Sequence, residues 1–134
     1  MALAGAVARY LPLQLPDFSV DWAALEALVN PKTRAILVNT PGNPCGKVFS
    51  QDELAQLAAL AQRHPHVLFI TDEVYEHIVF APARHACLAA QPGMRERTLV
   101  ISSFSKTLSM TGWKIGYVFA PANLTAAVRA SHQF

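Results

Sequence analysis

Apolar residues follow two spacings along this chain, and the switches between them outline its elements. Short apolar runs at residues 35–38, 67–71 and 98–102 predict strands. Residues 7–13 read as a strand too, as do residues 114–120, where Ile115, Tyr117 and Phe119 recur at every second position. Elsewhere the period lengthens to three and four. Trp22, Leu25, Leu28 and Val29 trace one apolar face of a helix expected over 21–29, opened by a turn at Ser19 or at Val20 and Asp21. Leu54, Leu57, Ala58 and Ala61 form the stripe of a second helix over 51–63. Its start carries Ser50 with Glu53 three residues on, a pairing that satisfies two orphan backbone amides reciprocally. A further helix opens at about residue 122, and residues 82–92 read as a loop-rich connection. Because the 51–63 helix falls between two strand-like runs, those strands should pair in parallel through a right-handed crossover. The expected architecture is α/β, a mostly parallel three-layer α/β/α sheet.

Chemistry gathers at the ends of these runs. In the segment from Ser102 to Lys114, Lys106 sits in a hydroxyl-rich turn, and a second cation, Lys114, follows eight residues later. A lysine amine forms Schiff bases with carbonyl compounds, while hydroxyls and a cation suit a dianionic phosphate. Those are the needs of pyridoxal phosphate (PLP); an ordinary polar turn with a surface lysine has the same composition. Asp72 and Tyr75 follow the run at 67–71, so a carboxylate and a phenol emerge at the carboxyl end of a strand, where open α/β sheets bind ligands. A carboxylate there can pair with the pyridine nitrogen of PLP and keep it protonated, and the phenol can reach the ring oxygen. As a helix cap and a packed ring, the same two residues would be purely structural. The loop Asn39-Thr40-Pro41-Gly42-Asn43-Pro44-Cys45-Gly46 follows the run at 35–38. Its prolines and glycines fix a tight backbone that can present the Asn43 amide in one direction, although a plain turn would carry them equally well. All three segments follow strand-like runs, as residues of one sheet edge should.

Taken in order, these segments resemble the class I/II aminotransferases among the fold-type I PLP enzymes. The resemblance rests on the N-P-x-N-P-T-G-like loop, the D-E-V-Y segment and the S-x-S-K-T-x-S-M-T-G-W-K-x-G-Y segment, and it runs through residues 6–134. Residues 72–78 and 103–117 are most similar to the methionine and kynurenine (glutamine-type) branch. The resemblance implies that Lys106 carries the PLP Schiff base and moves the proton between the substrate Cα and the cofactor C4′. It implies that Asp72 holds the pyridinium, that Tyr75 and Asn43 bond the ring oxygen, and that Ser103 and Lys114, with Ser105 beside them, hold the phosphate. Two positions depart from the commonest family pattern. Cys45 stands where threonine is usual, and Lys114 stands where many members have arginine, so the phosphate would meet a point charge without a bidentate fork. The implied activity moves an amino group from a methionine, glutamine, aromatic or kynurenine-like donor to a 2-oxo acid, in a cytoplasmic homodimer. A carbon–sulfur β-lyase and the non-catalytic sensor domain of some transcription regulators share that fold and stay open as alternatives.

Length bounds this reading. A chain of 134 residues, 52% hydrophobic and 15% charged, suits one domain with a fair core. It is short for a whole enzyme of this family. Residues 1–134 are expected to be part of the large PLP-binding domain, inactive alone. The N-terminal region and the small C-terminal domain, with the arginine that binds the substrate carboxylate, would lie outside, and Arg129 is not expected in that role. A net charge of +2 without a clustered basic face argues against nucleic acid. No apolar run reaches the ~18 residues of a membrane span. Cys45 and Cys87 are too few for a disulfide framework or a metal site, which suits a reducing compartment, and the five histidines are scattered, so no metal is expected.

Overall fold

The computed structural model describes residues 4–133, which fall into two units, one ending at Lys32 and one beginning at Thr33. In the first unit an antiparallel bridge joins Gln14 and Ser19 ahead of helix α1, Trp22–Leu28. Asp21 starts the helix: one carboxylate oxygen accepts from the Ala24 amide at 2.9 Å and the other from the Gln14 side chain at 3.2 Å. One expectation fails here. Residues 7–13 form no strand, with Val7 82% and Tyr10 83% exposed. An extended run becomes a strand only when a partner takes its amides and carbonyls, and among the described residues this segment has no such ladder. The helix expected over 21–29 forms with Asp21 and Val29 as its caps, and Trp22, Leu25 and Leu28 on its apolar face are half-buried.

The second unit holds the sheet. Its elements are β1 (Ala35–Asn39), α2 (Gln51–Arg63), β2 (Leu68–Asp72), β3 (Thr98–Ser103), α3 (Phe104–Thr107), β4 (Gly116–Phe119) and α4 (Ala122–His132). The strands lie in the order β1-β2-β3-β4; β1, β2 and β3 run parallel and β4 antiparallel to β3. This is the α/β, mostly parallel arrangement read from the sequence. The period-two alternation of strands decides which residues are covered. Val38, Phe69, Thr71, Thr98 and Val100 are buried, as are Leu54, Leu57, Leu60 and Ala61 of α2. On the opposite face Leu37 keeps 56% of its surface.

Helix α2 begins as its sequence requires. The Ser50 hydroxyl accepts from the Glu53 amide and the Glu53 carboxylate accepts from the Ser50 amide. Lys47 adds an ion pair to Glu53 at 2.6 Å. Burial alone would raise the Glu53 carboxyl, but the bonds from Lys47 and Ser50 and the Lys47 charge together hold it below its ordinary value.

The connection from β2 to β3 contains two 3-10 turns, Leu88–Ala90 and Arg95–Arg97, with Leu88 and Met94 buried. The strand expected over 114–120 starts only at Gly116, because Lys114 adopts a left-handed backbone (φ 55°) that breaks the pleat. Among the described residues no helix is long and apolar enough to cross a membrane.

Candidate functional site

Strand register puts the candidate residues on one edge. Asn39 pairs with Asp72 across β1 and β2, so those two strands end level, and Asp72 pairs with Ile101 across β2 and β3, with β3 running two residues further to Ser103. The loop after β1 is pinned to that edge. The Thr40 amide and the Asn39 side-chain amide both donate to the Asp72 carbonyl at 3.0 Å, and the Thr40 hydroxyl accepts from the Phe49 amide. Asn39 Oδ1 then accepts from the Asn43 amide at 2.8 Å. Held this way, Asn43 Nδ2 donates to the Tyr75 hydroxyl at 2.9 Å. Within the loop, a Cβ at Gly42 would meet Cys45 Sγ at 2.9 Å, so the cysteine packs in the space that glycine leaves.

Asp72 is half-buried at the end of β2, and its Oδ1 accepts from the Val74 amide at 3.3 Å. The chain then makes a turn over 74–77 rather than a helix, which sets aside the helix-cap reading of Asp72. The Glu73 amide donates to the Ile101 carbonyl at 2.8 Å and ties this turn to β3. Lys106 lies on the single helical turn α3, where the sequence predicted a plain turn. Ser103 caps it, accepting from the Ser105 amide at 2.9 Å and donating to the Ile115 carbonyl at 3.1 Å. The Lys106 ammonium lies 6.0 Å from the centre of the Tyr75 ring. Asn43, Tyr75 and Lys106 are thus brought together directly, and Ser103 and Ser105 adjoin them. Lys114 is exposed and joins this group through its neighbour Ile115. The edge is open to solvent, and a cleft of about 730 Å³ bounded by Ala90, Arg95, Val100, Phe119 and Pro121 contains none of these residues.

Sequence reasoning missed a second group behind this edge. Glu73 is 1% exposed and its Oε2 lies 2.7 Å from His85 Nε2. Burial, and after it the Glu73 charge, pushes the Cys87 thiol up to about 11, which makes it a poor nucleophile. Glu76 Oε1 accepts from the Ser102 hydroxyl at 2.7 Å and from the Tyr117 hydroxyl at 3.2 Å. Glu73, Glu76 and His85 offer ligand atoms within 4.8 Å of one another. Glu73 and His85 bind each other and Glu76 binds two hydroxyls, while Glu73 Oε1 and His85 Nδ1 are buried without a hydrogen-bond partner. The available signal was a pair of acids, Glu73 and Glu76, directly after a strand and three residues apart.

A carboxylate, a phenol, an amide, an amine and a hydroxyl on the edge of a mostly parallel sheet, beside a further lysine, match the groups that PLP presents: a ring nitrogen, a phenolic oxygen, an aldehyde and a phosphate. Fold and donor set together are compatible with a phosphorylated carbonyl cofactor at this edge. The sequence matches the aminotransferase class I and II family over residues 1–134, and the chain belongs to that family, whose enzymes depend on PLP. It is 44% identical over 134 residues to the methionine aminotransferase of Escherichia coli (strain K12), covering 100% of this chain and 34% of that protein. It is 45% identical over 117 residues to kynurenine–oxoglutarate transaminase 1 of Mus musculus, covering 87% of this chain and 27% of that protein. The solved structure of N-succinyldiaminopimelate aminotransferase from Mycobacterium tuberculosis superposes with a TM-score of 0.91 at 48% identity, covering 98% of this chain and 35% of that one. The chain therefore spans about a third of the length of such relatives.

Proposed function

We propose that this chain is part of the large domain of a PLP-dependent aminotransferase, with Lys106 as the Schiff-base lysine. The supporting observation is the approach of the Lys106 amine to the Tyr75 ring, whose hydroxyl is held by Asn43, on the sheet edge that carries Asp72. When bound, PLP supplies an electron sink for the bonds of the substrate Cα. The chain's own residues would do the rest. Asp72 holds a proton on the ring nitrogen by opposing its positive charge. Tyr75 and Asn43 direct hydrogen bonds to the ring oxygen, and Ser103, Ser105 and Lys114 hold the phosphate. Lys106 would serve as the general base for the substrate Cα proton and as the general acid toward C4′.

Methionine, kynurenine and N-succinyldiaminopimelate appear in the names of three relatives, so the reading stays at the class level: an amino acid donor and a 2-oxo acid acceptor. Methionine, glutamine, aromatic and kynurenine-like donors all fit it. The shared aminotransferase naming gives no support to a β-lyase or a sensor domain. A cytoplasmic homodimer completes the proposal, and exposed Trp113 beside the lysine turn suits an assembled partner. In the full-length protein, Lys106→Ala should abolish amino transfer while the far-ultraviolet circular dichroism is unchanged. Turnover retained in that variant would remove Lys106 from the role.

A further inference from the structure

We propose that Glu76 is a positioning residue that fixes the Tyr75 turn relative to the Lys106 turn; this rests on the roles assigned above to Tyr75 and Lys106. One oxygen of Glu76 receives two hydroxyls, Ser102 Oγ at 2.7 Å and Tyr117 OH at 3.2 Å. Those two residues face each other in the β3–β4 register. Each leads to part of the site. Ser102 directly precedes Ser103, which caps the helical turn of Lys106, and Tyr117 lies three residues after Lys114. The Tyr117 ring also packs against Phe104, the first residue of α3, at 5.2 Å between centres. Glu76 itself lies next to Tyr75 in the turn after β2. A single carboxylate therefore joins the three segments that carry the phenol, the amine and the second lysine.

The bonds suit that task. Hydroxyl donors to a charged acceptor make short, strong hydrogen bonds, and low exposure strengthens them. Ser102 is only 2% exposed, and without Glu76 its hydroxyl would lose its charged partner. Nothing in this geometry gives Glu76 a contact with substrate; its influence runs through Tyr75 and Lys106.

The test uses apoenzyme of the full-length protein, with PLP itself as the probe. Glu76→Ala should weaken PLP affinity about tenfold, the equivalent of losing a charge-assisted hydrogen bond. Glu76→Gln keeps an oxygen for both hydroxyls and should bind within about threefold of the parent. Arg97→Met serves as a stability control, because it removes only the bond from Arg97 Nη1 to the Ala61 carbonyl at the far end of α2. It should lower the melting temperature without weakening PLP binding. Unchanged affinity in Glu76→Ala, or an equal loss in Arg97→Met, would overturn the proposal. If Glu76→Ala fails to fold, Tyr117→Phe removes one of the two bonds, and unchanged PLP affinity there would overturn it as well. A parent protein that forms no borohydride-trapped, Lys106-dependent PLP adduct would instead refute the underlying assignment, a result visible before any Glu76 variant is compared.

Discussion

Lys114 adopts φ 55° and ψ 37°, the left-handed region in which a Cβ crowds the following carbonyl. Glycine or asparagine would sit there with less strain. A lysine in that position makes sense if its charge is used, and the phosphate role supplies the use. Lys114→Gly should change folding stability by no more than about 1 kcal/mol, since relief of strain offsets the larger unfolded-state freedom of glycine. The same substitution in the full-length protein should weaken PLP binding about tenfold, whereas Lys114→Arg should preserve it. Thermal melts and PLP titration check both parts, and unaltered binding in Lys114→Gly would take the residue out of the phosphate site. At this scale the sequence was informative where a residue follows a strand-like run. Asn43, Asp72, Tyr75 and Lys106 could be gathered on one edge for that reason. Glu76 could not, because its partners lie 26 and 41 residues away and only the pairing of Ser102 with Tyr117 brings them to it.

Helix α2 shows an element whose ends are written locally. Its N-terminus follows from Ser50 and Glu53, and the Glu53 carboxyl is held below its ordinary value of 4.5. A carboxyl lowered on folding adds stability that is present above its unfolded-state value and disappears as pH falls through the lower folded value. Glu53→Gln should therefore cost stability at pH 6, with the gap from the parent closing below about pH 4. Denaturant melts at pH 6 and pH 3 measure this, and equal gaps would contradict it. The failures among elements have the opposite cause. Residues 7–13 have strand composition, but a ladder needs a partner that local pattern cannot show. The late start of β4 depends on a backbone angle at Lys114 that periodicity does not encode.

For the whole molecule, parallel pairing was legible because α2 lies between β1 and β2. The reversal at β4 was not read, yet the physics is simple: residues 104–115 hold little regular structure besides one turn of α-helix and one of 3-10 helix, too little for a crossover, so β4 returns antiparallel to β3. The resulting edge gathers an amine, a phenol, an amide and a carboxylate from segments up to 67 residues apart in a 134-residue chain, from Asn39 to Lys106. Asn43, Lys106 and Lys114 remain exposed on it, and the chain spans about a third of the length of its relatives. The central claim is that Lys106 is the lysine that bonds the cofactor, and it is tested most directly by borohydride reduction of the PLP-loaded full-length protein followed by peptide mass mapping. The account predicts a pyridoxyl mass on the peptide containing Lys106 and none there in Lys106→Ala. A label carried instead by Lys114 or another lysine would contradict it.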